Sequence, residues 1–590
     1  MTIKYLALLV SVTTALLGCE AKQTRTNIMW VDVLPSKELP EKMESSRMRL
    51  SDGTLRIIRG FDDNDINVDL QQVAFDNWYL TTYIRQHEYP FYNSGGRTFD
   101  SPKGKTLPLH LPKNCVALSG GGMRSAAFSI GVLRALHYYG YLRKVDVISA
   151  VSGGSYAATW FYGQQSIHNI DVDELFSHKT DYVERASQNA RLVSPSTITS
   201  EILTELLSLV LLAPLNHLIV QLNKSEVGQF NVATKLNIGH RAKFYENNLR
   251  RVFLDENNVS FDEILKVADT NELPYLVYNV TAKEILNRGP NTLRTIEWGE
   301  DSVFEVTPHR YGGERTGYRY DKWPTDVSGA AALSGAAISE YHLKGSEVLR
   351  AFRAGLGGYL LFSPTASKDI LYRFSQKGSD DSIETLTNRS VMLYLADGGF
   401  SDNLGAFSLV KRFCENIIIV DAEYDPELEF EGYRVLQEEL LKDGITFNVP
   451  MIESILSIKN GDERRPTAFN MESPVMKGRV GPIPMIASIR ENNPSEPISS
   501  SNPAKLYKKM LDANIIYIKL SIENQKLTQY SPIVQSYYSK NSPIACDPEK
   551  PNETNCNAFP QQSTLDQDFD EHQFRAYQEL AEDIIKNNLK

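Results

Sequence analysis

The chain has 590 residues, of which 42% are hydrophobic and 23% are charged, which is the composition of an ordinary globular protein rather than a disordered one. This length is sufficient for a large core with one or two subdomains. The formal net charge of −11 argues against nucleic acid as a partner, because nucleic-acid binding relies on basic patches that neutralise phosphates.

The N-terminus has the pattern of an export signal. Lys4 precedes an apolar run over residues 5–17, which is too short to span a bilayer comfortably but is typical of a signal-peptide core. The following LLGCE resembles a bacterial lipoprotein signal, with Cys19 as the lipidated residue and Glu20 favouring the outer membrane. We therefore expect a signal peptide over 1–18 and a lipid anchor in the bacterial cell envelope. A plain signal peptide with a chance cysteine is the alternative.

Four cysteines remain after Cys19, and export would place them in an oxidising compartment. Cys546 and Cys556 bracket a short, turn-rich loop, which predicts a disulfide between them. Cys115 and Cys414 border apolar, strand-like runs and are expected to be buried thiols. The sequence has no CxxC motif and no cysteine–histidine cluster, so it does not support a metal site.

The pattern along the chain predicts an α/β fold. Residues 19–110 are expected to form a lipidated tether and an N-terminal region without identifiable chemistry. From residue 113, NCVALS, GGGMR and a helical pattern follow one another, and VDVISAVS, GGS and YAATWFYG repeat the order of strand, turn and helix. Two such units predict a mainly parallel central sheet flanked by helices. Ligands bind such sheets beyond the carboxyl ends of the strands, where both glycine turns lie.

The second turn contains a candidate nucleophile. Gly153 and Gly154 allow a tight turn, and Ser155 is expected where the strand gives way to the helix. The arrangement matches the nucleophile elbow G-x-S-x-G, with Ala157 in the fifth position. A purely structural GGS turn is the alternative.

The first turn contains a candidate anion site. Gly120, Gly121, Gly122 and Met123 end a strand and open a helix, so that their backbone N–H groups can form an oxyanion hole. Arg124, just beyond them, is a candidate for holding a substrate phosphate. A nucleotide phosphate loop is the alternative, but the stretch lacks the lysine and the serine or threonine of a P-loop, and its spacing is not G-x-G-x-x-G.

The candidate base is a carboxylate rather than a histidine. Asp397 ends a short apolar strand and is followed by Gly398, Gly399 and a new helix. Beyond it the only histidine is His572, within a predicted amphipathic surface helix. A dyad of Ser155 and Asp397 therefore fits the sequence better than a triad.

The motifs GGGMR, GGS and ADGG, in this order, resemble those of the patatin-like phospholipase family. The stretches LSGGGMRSA and VSGGS are also similar to motifs of the cytosolic phospholipase A branch of the same fold. Further similar stretches include LPYLVYNVTA, FEVTP and AAALSGAAIS, and the resemblance covers most of 112–425 and a short C-terminal piece.

This resemblance implies a three-layer α/β/α hydrolase domain over 111–590, with a helical insertion at about 165–270 and a C-terminal extension at about 426–590. It implies that Asp397 accepts the proton of Ser155 and that the glycine loop holds the oxyanion. Neither a cofactor nor a metal is implied.

The expected function is that of a membrane-anchored serine acyl hydrolase acting on phospholipids or lysophospholipids. A catalytically silent lipoprotein that uses the fold as a lipid- or protein-binding scaffold is the alternative. The apolar segment 202–222, which contains Pro214 and His217, is expected to form either buried core helices or a lid that contacts the bilayer.

Overall fold

The computed structural model describes only part of the chain. It describes residues 29–30, 47–49, 55–57, 88–94, 97–100, 106–177, 182–192, 243–288, 293–313, 317–319, 323–336, 358–362, 374–375, 391–441, 444–458, 464–489, 505–543, 558–564 and 566–589. The signal with Cys19, the segment 202–222 and the pair Cys546 and Cys556 lie outside the described residues. The predictions made for them therefore stay predictions.

The strands belong to one large sheet and three small pairs. They are β1 (Met29–Trp30), β2 (Arg47–Arg49), β3 (Leu55–Ile57), β4 (Arg97–Asp100), β5 (Thr106–Leu111), β6 (Asn114–Leu118), β7 (Val147–Val151), β8 (Tyr275–Arg288), β9 (Leu293–Val306), β10 (Tyr311–Gly313), β11 (Gly317–Arg319), β12 (Gly358–Phe362), β13 (Phe374–Ser375), β14 (Val391–Asp397), β15 (Asn416–Asp421), β16 (Thr446–Asn448), β17 (Val475–Ile489) and β18 (Lys505–Lys519).

The described helices range from single turns to five turns. They are α1 (Gly122–Tyr138), α2 (Gly153–His168), α3 (Val172–Leu175), α4 (Tyr182–Gln188), α5 (Lys243–Phe253), α6 (Phe261–Thr270), α7 (Val327–Ser334), α8 (Gly399–Asp402), α9 (Phe407–Lys411), α10 (Glu431–Leu441), α11 (Pro450–Leu456), α12 (Pro532–Asn541) and α13 (Glu571–Asn588), with short 3₁₀ turns at Tyr89–Phe91, Leu142–Lys144 and Asn524–Gln529. Among these helices, none combines the length and the apolar character that a membrane-spanning segment needs.

The main sheet has twelve strands and is parallel at its centre. Strands β8, β7, β6, β15 and β18 lie side by side in that order, and each adjacent pair is parallel. Antiparallel strands extend both edges, with β9 and β14 pairing with β8 on one side and β17 pairing with β18 on the other. The predicted sheet with mostly parallel central strands flanked by helices is confirmed, and its antiparallel wings make it mixed.

The burial of the central strands is consistent with their parallel arrangement. All five residues of β7 are buried, as expected for a strand covered by helices on both faces. Helix α1 lies on one face and is itself covered by α13, which approaches so closely that a Cβ on Gly131 would lie 2.2 Å from the carbonyl oxygen of Gln578. The last helix of the chain therefore packs directly on the helix that follows the glycine loop.

A disulfide joins Cys115 and Cys414, whose Cα atoms are 6.2 Å apart although the residues are separated by 299 positions. Both residues are buried, as predicted, but the expectation that they are free thiols is wrong. The pairing arises because β6 and β15 are neighbours in the sheet, so that Cys115 lies opposite Ile417, close to where the chain enters β15.

Candidate active site

Two strand-to-helix turns lie at the carboxyl ends of the neighbouring strands β6 and β7. After β7 the change of direction occurs at one residue, Ser152, because β7 ends at Val151 and α2 begins at Gly153. Ser152 has φ 47° and ψ −119°. A positive φ is uncommon for a residue with a side chain, and such strain concentrates at functional sites. The elbow position is therefore Ser152.

Ser155 lies three residues further on, inside α2, and is fully buried. Its hydroxyl donates to the carbonyl oxygen of Ser152 at 2.5 Å and lies 3.5 Å from that of Ala331. The prediction that Ser155 stands where strand gives way to helix is wrong. The residue at that place is Ser152, and Gly153 and Gly154 are helical rather than turn residues.

The two glycines of α2 are required by close packing. A Cβ on Gly153 would lie 2.1 Å from the carbonyl oxygen of Gly122, and one on Gly154 would lie 2.3 Å from that of Leu118. The N–H of Gly154 also donates to the carbonyl of Ser119 at 3.0 Å. The first turn of α2 thus contacts the backbone of the other turn, and the elbow and the glycine loop lie side by side.

In the glycine loop, the N–H groups differ in their availability. Gly121 and Gly122 have φ angles of 138° and 62°, which only glycine adopts readily. The N–H of Gly120 donates to the carbonyl of Asn403 at 2.8 Å. This N–H is therefore already bonded, in contrast to the prediction that it is a free oxyanion donor. Gly122 and Met123 are the first residues of α1, whose N–H groups have no intrahelical acceptor and lie at the positive end of the helix. The donors remaining for an anion belong to Gly121, Gly122 and Met123.

Asp397 ends β14 and is buried. Its Oδ1 accepts from the N–H of Gly399 at 2.7 Å. The N–H of Gly398 donates to the carbonyl of Ser334 at 3.1 Å, whereas the hydroxyl oxygen of Ser334 accepts from the N–H of Ser152 at 2.9 Å. Ser334 therefore ties the turn that carries Asp397 to the elbow that carries Ser152.

Two residues that sequence reasoning did not select, Ser334 and Asn403, bring the three motifs together. A Cβ on Gly120 would lie 2.2 Å from Oδ1 of Asn403, and one on Gly399 would lie 2.8 Å from the same atom. The Asn403 side chain thus lies between the glycine loop and the Asp397 turn. The available signals were the stretch AAALSGAAIS, which contains Ser334, and the continuation of ADGG into FSDN.

A buried charge cluster lies behind Asn403. Its amide nitrogen donates to Oε2 of Glu423 at 3.2 Å. Lys519 Nζ, fully buried, lies 2.9 Å from Asp421 Oδ2 and 2.8 Å from Asp425 Oδ2. Burial, together with the charge of Asp421, raises the pKa of Glu423 to about 8. The carboxyl of Glu423 thus links Asn403 to this buried charge cluster.

The side chain of Arg124 is bonded to protein acceptors. It is buried, and its guanidinium donates to the carbonyl of Ala422 at 3.2 and 3.1 Å, to the hydroxyl of Thr564 at 3.1 Å, and to the carbonyl of Gln562. Burial lowers its pKa. Arg124 thus fastens the C-terminal segment to the end of β15, and its predicted contact with a substrate phosphate stays a prediction.

His572 lies in the first turn of α13, as expected for a residue of a surface helix, with its ring 5.5 Å from that of Tyr537. It is exposed. Within the described residues, no group of three or more histidine, cysteine, aspartate or glutamate side chains is arranged to hold a metal ion.

The family comparison agrees with this geometry. Residues 116–285 match the model of the patatin-like phospholipase family. The patatin-like match includes the glycine loop and the elbow, and it ends before Asp397. The resemblance predicted from the sequence motifs is confirmed for this domain. No curated protein matches the chain.

Solved structures are similar at low identity. Human GIVD cytosolic phospholipase A2 is 13% identical with a TM-score of 0.46, and the match covers 87% of this chain and 63% of that one. The type III effector protein ExoU is 15% identical with a TM-score of 0.23, covering 50% and 55%. VipD from Legionella pneumophila is 13% identical with a TM-score of 0.18, covering 56% and 54%. The chain thus spans less than two thirds of each of these proteins.

Proposed function

We propose that this protein hydrolyses acyl esters of phospholipids or lysophospholipids, with Ser152 as the nucleophile and Asp397 as the base. The observation that carries this proposal is the strained Ser152 elbow, which Ser334 connects to the Asp397 turn and which packs against the glycine loop. The patatin-like match over 116–285 supports a lipid ester hydrolase.

In the proposed reaction, Asp397 accepts the hydroxyl proton of Ser152 while the serine oxygen forms a bond to the ester carbonyl carbon. The carbonyl oxygen takes up the negative charge and is held by the N–H groups of Gly121, Gly122 and Met123. Collapse of this intermediate breaks the ester bond, and protonated Asp397 gives its proton to the leaving alkoxide. Water then attacks the acyl-serine with Asp397 again as the base, which releases the fatty acid.

Burial of both groups favours this chemistry. Ser152 is 5% exposed and Asp397 is 3% exposed, so that little bulk water surrounds the reacting atoms. In such a site fixed dipoles act more strongly on a developing charge than they do in water. The positive end of α1, which begins at Gly122, supports the proposal that this loop holds the oxyanion.

The test compares Ser152→Ala with Ser155→Ala on purified protein and a panel of labelled phospholipids, with released fatty acids identified by mass spectrometry. We expect Ser152→Ala and Asp397→Asn to lose activity by a factor on the order of 10⁴. Ser155→Ala, a matched control three residues away, should remain within about tenfold of the wild type because its hydroxyl is bonded to backbone. An active Ser152→Ala enzyme contradicts the assigned nucleophile, and a wild type that is inactive on the whole panel favours the silent scaffold.

We further propose that lipidation of Cys19 anchors the protein in the outer membrane of a bacterial envelope. The LLGCE motif supports this, and the disulfide between Cys115 and Cys414 is typical of proteins from oxidising compartments. Cys19→Ala should release the protein from membranes after a high-salt wash. Continued fractionation of this variant with the outer membrane contradicts the lipid anchor.

A further inference from the structure

A pair of tyrosine hydroxyls lies beside the elbow. Tyr156 follows Ser152 by one helical turn, and its N–H lies 3.3 Å from the carbonyl oxygen of Ser152. Since helical side chains lean towards the N-terminus, the Tyr156 side chain extends back along α2 towards Ser152. Its hydroxyl is 2.6 Å from that of Tyr245 on α5 and 3.4 Å from the carbonyl oxygen of Gly335.

Gly335 makes room for this hydroxyl. A Cβ at Gly335 would lie 1.8 Å from the Tyr156 oxygen, so no other residue fits there without a shift. Gly335 directly follows Ser334, whose hydroxyl accepts the N–H of Ser152 and whose carbonyl accepts the N–H of Gly398. The tyrosine pair is thus packed against the same segment that holds the nucleophile and the base together.

Both tyrosines are neutral and lie within the field of Asp397. Burial raises the pKa of Tyr156 well above its ordinary value, neighbouring Tyr245 and the charge of Asp397 raise it further, and a side-chain hydrogen bond with Ser152 lowers it. Burial also raises the pKa of Tyr245, to which Asp397 contributes. The two hydroxyls therefore keep their protons at any physiological pH and do not compete with Asp397 as a base.

We propose that Tyr156 and Tyr245 are positioning residues for the proposed nucleophile: their paired hydroxyls pack on Gly335 and thereby hold the neighbouring Ser334, and with it the Ser152 elbow, in place. A neutral hydroxyl can donate and accept at once, so Tyr156 can contact the carbonyl of Gly335 while it stays bonded to Tyr245. This inference rests on the proposed function, since it assigns a role within the same site.

The test uses a long-chain alkyl fluorophosphonate, which forms a bond from phosphorus to a reactive serine oxygen and releases fluoride. Its second-order rate, followed by intact-protein mass, reports the reactivity of Ser152 without a leaving alcohol. We expect Tyr156→Phe to lower this rate about 10- to 100-fold, with the ester KM nearly unchanged, because small misplacement of a reacting group costs rate rather than binding.

Tyr162→Phe is the matched control. Tyr162 lies on the same helix and is buried, but its hydroxyl donates to the carbonyl of Pro274 at 2.6 Å. It should react with the fluorophosphonate at the wild-type rate. A purely structural role for Tyr156 predicts instead that both variants lower the melting temperature and that both react at the wild-type rate once folded.

Tyr245→Phe should also lower the rate, and the double variant should be little slower than Tyr156→Phe, because paired groups are not additive. If Tyr156→Phe fails to fold, the fluorophosphonate labelling rate of Tyr245→Phe tests the positioning role instead. A Ser152→Ala protein that is still labelled and active overturns the proposed function. The positioning role alone is overturned if Ser152→Ala is inert but folded Tyr156→Phe is labelled at the wild-type rate. Where Tyr156→Phe does not fold, wild-type labelling of Tyr245→Phe has the same meaning.

Discussion

The turns that follow β6 and β7 lie side by side, and they differ in which residue adopts the unusual backbone. After β6 the positive φ angles belong to Gly121 and Gly122, for which this conformation costs little. After β7 the positive φ belongs to Ser152, for which it costs about 1–3 kcal/mol. Under the proposed function, the first turn offers backbone N–H groups and needs no side chain, whereas the second turn presents a hydroxyl. Of these two turns, only the one that carries the proposed nucleophile has a positive φ at a residue with a side chain.

Gly153→Ala should break the contact between these turns. Among the variants that test this comparison, we expect it to lower turnover the most. The added Cβ would meet the backbone of Gly122 at 2.1 Å, where no flexible side chain can give way. We expect a loss of turnover by about 100- to 1,000-fold, as for loss of an oxyanion donor, and a loss of stability of about 2–3 kcal/mol.

Gly140→Ala is its control, because a Cβ there meets nothing within 4 Å although φ is 72°. It should cost about 1–2 kcal/mol and leave turnover unchanged. Denaturant unfolding and ester hydrolysis measure both effects. Equal turnover of Gly153→Ala and Gly140→Ala contradicts the coupling of the two turns.

Arg124→Lys tests whether Arg124 binds the phosphate of the substrate or only stabilises the glycine loop through its bonds to the C-terminal segment. Lysine cannot form the several bonds to Ala422, Gln562 and Thr564 that the guanidinium forms, so stability should fall by about 2 kcal/mol. Turnover should fall by the same factor on a phospholipid and on a neutral short-chain ester. A loss confined to the phospholipid restores the role that the sequence suggested.

The strain at Ser152 is measured by comparing Ser152→Gly with Ser152→Ala. Both variants lack the nucleophile, but only glycine relieves the positive φ of 47°. We expect Ser152→Gly to be more stable than Ser152→Ala by about 1 kcal/mol in denaturant unfolding. Equal stability of the two variants indicates that the elbow carries no strain.

In a third turn, after β14, the contribution of Asp402 to the stability of the protein should depend on pH. Asp402 is fully buried, and burial raises its pKa to about 6 although its oxygens accept from the N–H groups of Leu404 and Phe407. In the unfolded chain the carboxyl loses its proton near pH 4. Because the folded state keeps the proton longer, stability falls as pH rises from about 4 to about 6 and then levels off.

Asp402→Asn removes this titration, so the stability of the wild type relative to the variant should fall across that range by about 1 kcal/mol per pH unit. Melting temperatures at pH 4, 5, 6 and 7 measure it. A constant difference between the two proteins contradicts the raised pKa.

The sequence predicted the parallel centre of the sheet and the two glycine turns, because buried strands and helical spacing are local patterns. It did not distinguish Ser152 from Ser155. Read from Ser155, the motif G-x-S-x-G has alanine in its fifth position, whereas read from Ser152 it has Ala150 in its first position and Gly154 in its fifth. The packing of Gly154 against Leu118 favours the motif read from Ser152, and that contact joins two different strand–helix units.

Other contacts that the sequence did not reveal also join residues that are distant in the chain. Cys115 and Cys414 are bonded because β6 and β15 are adjacent, an order that spacing does not reveal. Arg124 was located correctly next to the glycine loop, but its direction is set by carbonyls from residues 422 and 562.

The bonds from Arg124 to Gln562 and Thr564 have a consequence for biosynthesis. A ribosome makes the glycine loop, Ser152 and Asp397 long before residues 562–588, which cover the outer side of that loop and of α1. A Cβ on Gly122 would meet Gln567 and Thr564, so the loop is shaped against this last-made segment. An interrupted chain therefore lacks the segment that packs against the glycine loop. Under the proposed function, we expect a chain that ends before residue 562 to be inactive on lipid esters.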